Sequence, residues 1–448
     1  MYKLDNNPTR KSVVSHIASS SNYGNLCLFI GAGFSKELVG NEALSWGSLL
    51  IKTSKELKIN FDFDSRKLIG VGYPEIASLL CREYMKADGL SFEESMMAIK
   101  EKVSELTCWH PIEDKRILYA ENISYLTPAW IVTTNYDLVI ESLFPGTSIS
   151  IRPDESLVFP RGRIPVYHLH GVRTYPQSLV LCREDYTALF RPNEYRQLKL
   201  ALTLKESTTL LLGYGLGDDN VLTAYDWSRN VFKHDQGDYP GGVIQIVRSD
   251  NPLVEPYRAS NGVLILEVLG VKEFFDELMP IVRELKKNYA AISEKIDSIK
   301  SVFLKTPELM ANKFIDDKCY RLETLNLIMD GFLTRVIDGF VPFFDKVIDE
   351  TFSRSHGYGK FLGYSQGLEV VLDILCAYGE IFMPPALFQK VANALKRQAQ
   401  FIGSKPGQSH RAGEIWEARK TEIPPLQIKE LRIYSQNKSW FEVVELLK

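Results

Sequence analysis

The sequence has few cysteines, no long apolar run and almost no net charge. Its six cysteines are scattered over 448 residues without a CxxC pair, which argues against both a zinc site and a disulfide framework. No apolar run approaches the length of a membrane span or follows the basic amino terminus as in a signal peptide. A net charge of -3 gives no global field that would attract nucleic acid or an anionic membrane. We therefore expect a cytoplasmic protein with reduced thiols, no bound metal, no membrane contact and no direct binding of nucleic acid.

The chain has enough apolar residues to bury a large core, and its length is compatible with two domains. Short apolar strands alternate with helical segments in the first part, a pattern typical of an α/β fold with a doubly wound, Rossmann-like parallel sheet. We assign this domain to residues 1–290, with a helical insert at about 52–122 that either walls a cleft or only packs as a layer. Residues 291–448 predict a mainly helical domain without a chemical motif. We expect this domain to serve assembly or partner docking; the alternative is that it only covers the sheet domain.

The first motif is a glycine turn after an apolar segment. The segment Leu26 to Ile30 predicts a buried parallel strand, and Gly31-Ala32-Gly33 predicts a tight turn that leads into a helix. Backbone N–H groups at the start of a helix lack partners and carry partial positive charge, so such a turn suits a phosphate group. The same turn also serves plain strand-to-helix connections, so a second signal is needed.

Polar residues follow a second predicted strand. The segment from Ala129 to Asn135 has strand character, and Tyr136 to Phe144 predicts a helix directly after it. Thr134, Asn135 and Asp137 therefore fall at the carboxyl end of a strand, the edge at which open α/β sheets bind ligands. Asn135 or Asp137 could equally cap the helix, and both roles are compatible.

Two histidines lie in a third predicted strand, which runs from Pro165 to Gly171. Alternation places His168 and His170 on one face, and Gly171 ends the strand where backbone approaches another group closely. The position of His170 at the strand end favours a catalytic role, while the role of His168 stays open. Neither histidine has a third metal ligand at suitable spacing.

A second glycine turn follows the predicted strand from Thr208 to Tyr214. It contains Gly213, Gly215 and Asp218 and therefore differs from the first turn by its carboxylates, which suit ribose hydroxyls better than phosphates. The alternative is that an aspartate only caps the helix predicted at Val221 to Phe232.

Taken in order, these motifs resemble those of the sirtuin superfamily. Over residues 24–270 the chain looks more like the bacterial sirtuin-like proteins of anti-phage defence, which destroy NAD+, than like protein deacylases. The motifs that carry the resemblance are GAGFS at 31–35, TTNYD at 133–137, HLHG at 168–171 and GYGLGDD at 213–219.

The resemblance implies that NAD+ is the substrate and that the nicotinamide–ribose bond is cleaved. Asn135 is then expected to orient the ribose or the attacking water, and His170 to accept a proton from one of them. Backbone N–H groups of the first turn would contact the diphosphate, and Asp218 would face the adenosine end. The full set expected to bind NAD+ is Gly31, Ala32, Gly33, Phe34, Ser35, Thr134, Asp137, Gly213, Gly215 and Asp218.

Two departures argue against deacylation. The segment Asn41 to Leu49 does not match the deacylase pattern, and the four zinc cysteines of deacylases are missing. The alternatives to an NAD+ glycohydrolase are a protein deacylase or ADP-ribosyl transferase and a non-catalytic nucleotide sensor. The resemblance also implies homo-oligomerisation and allows a ring-forming, DNA-translocase-like ATPase as a partner; it leaves open whether the product is ADP-ribose or a cyclic form.

Overall fold

A computed structural model of the chain divides into two compact units, Met1–Lys286 and Lys287–Lys448. Each unit is described by itself below. The described residues are 8–156, 160, 162–189, 195–217, 219–230, 242–305, 307–331, 333–356 and 361–448.

The first unit is built on one sheet whose order is β3-β4-β2-β1-β5-β6-β8-β7. All neighbouring strands pair in parallel except β7, which is antiparallel to β8 at the edge. The α/β fold class predicted from the sequence is thereby confirmed. The strands are β1 (Leu26–Ile30), β2 (Trp130–Thr133), β3 (Ser148–Ile151), β4 (Ile164–His168), β5 (Thr208–Leu212), β6 (Val243–Arg248), β7 (Tyr257–Arg258) and β8 (Leu264–Val268).

Helices cover both faces of this sheet, and every residue of β1 and β5 is therefore buried. Strands that are buried on both faces need mainly apolar residues. Residues of α1, α2, α6, α7 and α11 form the core on one face, and residues of α9 and α10 form it on the other. The helices are α1 (Arg10–Asn22), α2 (Ala32–Val39), α3 (Trp46–Glu56), α4 (Tyr73–Asp88), α5 (Phe92–Leu106), α6 (Glu113–Leu126), α7 (Val139–Leu143), α8 (Arg183–Leu189), α9 (Tyr195–Glu206), α10 (Asp219–Asn230) and α11 (Val271–Lys305).

The helical segment between β1 and β2 does not pack as one layer. Helices α3, α4 and α5 form a separate apolar cluster together with the segment that contains Leu179, Leu181 and Cys182. Helix α6 instead packs on the sheet through Tyr119 and Ile123, which are fully buried in the sheet's own core. The part of the insert that stands apart from the sheet is therefore α3 to α5.

Strand β1 lies at the point where the strand order reverses. It pairs with β2 on one side and with β5 on the other, although long segments of chain separate the three. Because all three strands are parallel, their carboxyl ends meet at one edge of the sheet. In open α/β sheets such a reversal opens a crevice, and this crevice is the usual ligand site of the fold.

Some element boundaries differ from those predicted. Strand β4 ends at His168, so His170 lies in the following turn and not on the same strand face. The glycine that forces this turn is Gly171, whose φ is +88° and whose Cβ, if added, would overlap the Ser178 carbonyl. Helix α7 begins at Val139, three residues later than predicted.

In the second unit, every element assigned among the described residues is a helix, as the sequence predicts. Its core surrounds α15, and α18 and α19 are the last two helices of the unit. In the part of the chain that the structure describes, no helix is long and apolar enough to cross a membrane. The helices beyond α11 are α12 (Pro307–Asp316), α13 (Lys318–Gly331), α14 (Leu333–Ser353), α15 (Leu362–Tyr378), α16 (Pro385–Ala399), α17 (His410–Arg419), α18 (Pro425–Asn437) and α19 (Phe441–Leu446).

Candidate active site

A cavity of about 630 Å³ lies at the carboxyl edge of the sheet in the first unit. Its size is within the usual range for small-molecule sites. Residues from all four motifs line it, although 185 positions separate the first from the last of them. These sheet-edge residues are Ala32, Thr134, Asn135, Tyr136, Asp137, His170, Tyr214 and Gly217.

The helices of the insert and the segment around α8 supply the other wall. This wall is rich in aromatic side chains: Trp46 packs against Tyr73 with ring centroids 5.5 Å apart, and it stacks on Tyr186 at 6.2 Å. Trp109, between α5 and α6, also lines the cavity. Aromatic faces of this kind suit a planar ring of a ligand. Half of the cavity is thus built from residues that the sequence motifs did not identify.

The remaining residues predicted to bind a ligand do not line this cavity. Phe34 is fully buried in the core of the sheet, where its ring packs edge-on against Tyr119 at 5.5 Å. The predicted contact of Asp218 lies outside the described residues. The predicted residues that are described but do not line the cavity are Gly31, Gly33, Phe34, Ser35, Gly213 and Gly215.

The two glycine turns pack directly against each other. The Gly31 N–H donates to the Leu212 carbonyl at 3.0 Å, and the Gly33 N–H donates to the Gly213 carbonyl at 2.8 Å. These two N–H groups were expected to meet a diphosphate, but the last residue of β5 and the first residue of the following turn accept them. The close approach also explains the residue type, since a Cβ at Gly31 would lie 2.6 Å from the Gly213 carbonyl oxygen. Of the first turn, only Ala32 lines the cavity.

Gly213→Ala is expected to destabilise the first unit by about 1–3 kcal/mol because of its backbone conformation alone. Its φ is +61°, and a Cβ there would overlap the backbone nitrogen of Phe34. Denaturant unfolding of the variant and the parent measures the difference. As a control, Gly215→Ala introduces a Cβ with no heavy atom within 4 Å. Equal loss of stability in both variants would contradict the proposed packing of the two turns.

Three polar side chains from two motifs form a buried chain of hydrogen bonds. The Ser35 hydroxyl lies 3.0 Å and 3.2 Å from the two carboxylate oxygens of Asp137, and the Asn135 amide nitrogen lies 2.9 Å from the same hydroxyl. An ionised carboxylate only accepts, so Ser35 donates its proton to Asp137 and accepts one from the amide of Asn135. This order of donors fixes the orientation of the amide and directs its oxygen away from Ser35. Asp137 also accepts from the Val139 N–H at 3.0 Å, so it caps the start of α7 as well.

Burial raises the pKa of Asp137 to about 6, although hydrogen bonds from the Val139 N–H and from Ser35 lower it. The nearby Glu141 carboxylate raises this pKa further, and His168 lowers it. The carboxyl group is therefore ionised at neutral pH but takes up a proton under mildly acidic conditions. A protonated Asp137 could donate to Ser35, which would reverse the order of donors that orients Asn135.

The carboxyl carbon of Asp137 is expected to titrate with a midpoint near pH 6 in a 13C-aspartate NMR experiment. Because its folded-state pKa is raised, its contribution to stability is greatest below about pH 4 and is lost as pH rises through 6. The free energy of unfolding of the parent should therefore fall relative to that of Asp137→Asn between pH 4 and 7. A midpoint near 4, or a pH-independent difference between the two proteins, would contradict this expectation.

His168 does not face the cavity but is fully buried beside α7. Its Nδ1 lies 3.0 Å from the carbonyl oxygen of Asn135, and its Nε2 lies 2.7 Å from the Glu141 carboxylate. Both neighbours are acceptors, so both ring nitrogens carry protons and the ring is cationic. Burial lowers the pKa of His168, but the charge of Glu141 and the hydrogen bonds outweigh burial and raise the pKa. His168 is therefore a structural cation that holds the Asn135 backbone, and it is not available as a base.

His170 occupies a different environment from His168. It lines the cavity, and its ring packs edge-on against Tyr186 with ring centroids 5.4 Å apart. Its backbone carbonyl accepts the Val180 N–H at 2.9 Å, which ties the turn after β4 to the segment before α8. The cavity therefore combines one histidine with one oriented asparagine amide.

The sequence motifs missed Glu141 and the aromatic residues Trp46, Tyr73 and Trp109 that line the cavity. Glu141 lies one helical turn after Asp137. Its partner is His168, which approaches it because β4 pairs with β2, and no local pattern in the sequence indicates that pairing. Trp46 begins α3 and Tyr73 begins α4, but no spacing in the sequence indicates that these helix starts face the sheet edge. Within the described residues, no group of three or more histidine, cysteine, aspartate or glutamate side chains could hold a metal ion.

Comparison with known proteins gives three findings. Residues 129–264 match a family model described as the SIR2-like domain, which begins just before β2. The chain is 25% identical over 241 residues to defense-associated sirtuin 2 of Bacillus subtilis, and the match covers 51% of this chain but only 22% of that relative. Among solved structures, it is similar to the crystal structure of a Sir2 homolog–NAD complex, with 14% identity, a TM-score of 0.30 and coverage of 64% of this chain and 97% of that chain.

Proposed function

We propose that this chain, which carries a SIR2-like domain over residues 129–264, is an NAD+ glycohydrolase that cleaves the nicotinamide–ribose bond. The observation that supports the proposal most directly is the convergence of His170 and the oriented amide of Asn135 in one cavity. The match to a defense-associated sirtuin supports a role in anti-phage defence, in which hydrolysis depletes the cell of NAD+.

The chemistry requires little from the protein beyond orientation and one base. Cleavage passes through an oxocarbenium-like transition state, as in glycoside hydrolysis, so the site must stabilise positive charge at the ribose. Nicotinamide leaves as a neutral molecule, and a strong general acid is therefore unnecessary. The described lining agrees with the lack of a strong general acid, because both of its carboxylates are engaged: Asp137 is bound to Ser35, and Glu75 is paired with Arg183 at 2.7 Å.

We assign the amide oxygen of Asn135 to the ribose hydroxyls or the attacking water. Ser35 does not bind the ligand in this proposal, because its hydroxyl is already held between Asn135 and Asp137. His170 accepts a proton from the water or from a ribose hydroxyl as the ribosyl cation is captured. The aromatic wall formed by Trp46 and Tyr186 provides faces for a planar nicotinamide ring.

The decisive experiment is incubation of the purified protein with NAD+ alone. Release of nicotinamide over many turnovers without peptide supports glycohydrolysis, and separation of ADP-ribose from a cyclic product identifies the acceptor. Release only after addition of an acyl-lysine peptide would instead indicate a deacylase or ADP-ribosyl transferase. Binding of NAD+ without turnover, also after addition of candidate activators, would indicate a nucleotide sensor.

A chelator is expected to leave this hydrolysis unchanged, because neither proposed role requires a metal. The measurement compares nicotinamide release before and after dialysis against EDTA, with elemental analysis of the same samples. One zinc per chain that is lost together with activity would contradict the expectation and favour the deacylase alternative.

We further propose that the helical unit, Lys287–Lys448, serves self-assembly. Exposed apolar side chains support this role: Phe382 is 67% exposed in the connection between α15 and α16, and Phe441 is 75% exposed at the start of α19. Light scattering of the full chain tests the proposal. A mass of one 51.0 kDa chain at micromolar concentration, with and without NAD+, would contradict it.

A further inference from the structure

Tyr186 of α8 contacts the ring of the proposed catalytic histidine. Its hydroxyl oxygen lies 3.5 Å from Nδ1 of His170, and the two rings pack edge-on at an interplanar angle of 68°. The Tyr186 ring also packs against Trp46, which is nearly parallel to it with an interplanar angle of 24°. Tyr186 is only 6% exposed, so packing restricts the directions in which its hydroxyl can point.

A buried ion pair fixes the start of the helix that carries Tyr186. One carboxylate oxygen of Asp185 accepts the backbone N–H groups of Leu181 and Cys182 at 3.0 Å and 2.9 Å. The other oxygen lies 2.7 Å from Nζ of Lys100, whose side chain is 5% exposed on α5. The insert therefore holds the residue directly before Tyr186 through a contact that is shielded from water.

A second set of contacts connects the same helix to α4. The Ser78 hydroxyl donates to Glu184 at 2.5 Å and accepts the Arg183 N–H at 3.0 Å. Arg183, Glu184 and Asp185, the three residues before Tyr186, are therefore all bound to the insert. The turn that bears His170 directly follows β4 of the sheet. Through α8, the insert therefore holds Tyr186 against His170.

We propose that Tyr186 is a positioning residue that fixes the tautomer of His170, because its hydroxyl oxygen accepts a hydrogen bond from the Nδ1–H group. A neutral imidazole that donates from Nδ1 carries its lone pair on Nε2, the form in which Nε2 can accept a proton. The contact is long for a hydrogen bond without ligand, and catalytic contacts commonly shorten when the substrate is bound. The consequence for catalysis rests on the function proposed above, whereas the tautomer itself does not.

This assignment gives the helical insert a role beyond forming a wall of the cavity. The insert holds α8 through Lys100 and Ser78, and α8 presents the tyrosine hydroxyl to His170. The orientation of His170, the proposed base, therefore depends on the sheet, which leads into its turn, and on the insert, which holds α8. These two parts are distant in sequence, and their apolar side chains form separate clusters.

The test is 15N NMR of histidine-labelled protein, with the His170 signals identified by their loss in His170→Gln. We expect the parent to show a protonated Nδ1 and a non-protonated Nε2 above the pH at which the ring becomes neutral. Tyr186→Phe keeps the ring packing against Trp46 but removes the acceptor, so the proton should redistribute towards Nε2 and the titration midpoint of His170 should shift. Tyr73→Phe, which packs on the same Trp46 ring, is the matched control and should show the parent's tautomer.

Nicotinamide release gives the second readout. Tyr186→Phe should lower kcat by about tenfold to a hundredfold with little change in KM, because the tautomer affects proton transfer and not binding. An unchanged His170 tautomer and midpoint in a folded Tyr186→Phe protein would overturn the proposal, whatever the activity. A protein that shows the expected tautomer change but hydrolyses no NAD+ would contradict the proposed function and leave the positioning role supported.

Discussion

His170→Ala is expected to lower the rate of nicotinamide release from NAD+ by at least about a hundredfold while leaving folding and NAD+ binding largely intact. The loss is large because His170 is the one histidine among the described residues that line the cavity. His168 cannot replace it, since both of its ring nitrogens are bound to acceptors within the protein. Turnover under saturating NAD+ measures the effect, and calorimetry on the same samples measures binding.

Two further variants make the result specific. Asn135→Ala should lower turnover to a similar extent, because it removes the amide that Ser35 and Asp137 orient. His410→Ala removes an exposed histidine of the second unit and serves as the control that should hydrolyse NAD+ at the parent's rate. Near-normal hydrolysis by a folded His170→Ala protein would show that the base is another group.

Asp373→Ala is expected to destabilise the helical unit by about 3–5 kcal/mol, the usual result of breaking a buried ion pair by removal of one partner. Asp373 lies between two cations: Nε of Arg321 is 2.7 Å from one carboxylate oxygen, and Nη2 of Arg419 is 2.9 Å from the other. The side chains of Asp373 and Arg321 are each 1% exposed. Removal of the carboxylate would therefore leave the buried Arg321 guanidinium without the acidic group that contacts it.

Arg321 cannot simply move out to solvent in this variant, because it also binds the end of α12. Its Nη1 donates to the carbonyls of Phe314 and Ile315 at 2.7 Å and 2.9 Å, which lack partners within the helix. Fluorescence of Trp416, buried in the same core, follows unfolding of this unit in denaturant. Asp345→Ala is the matched control: it breaks an ion pair with Lys390 whose partners are both more than 40% exposed, and it should cost about 1 kcal/mol or less. Equal losses in the two variants would contradict the structural role of the buried pair.

The sequence by itself determined the sheet and the edge at which the candidate site lies. The five apolar residues of β1 followed by two glycines allow few conformations, because a fully buried parallel strand needs apolar residues on both faces and the turn needs residues without a Cβ. The polar residues Asn135 and His170 each follow a strand of the same sheet. Parallel strands bring their carboxyl ends together, so local patterns were enough to predict that these two residues share one cavity.

The partners of those residues were decided only by the tertiary structure. Ser35 and Asp137 stand 102 positions apart, and nothing local shows that their side chains meet, so the Ser35 hydroxyl was expected to bind a ligand. The N–H groups of Gly31 and Gly33 were expected to be free because the turn that accepts them comes from β5, far along the chain. The two histidines were predicted to share a face, but Gly171 ends the strand early and sends them to different environments. Short-range sterics and burial determine the elements, whereas hydrogen bonds between distant turns depend on how those elements pack.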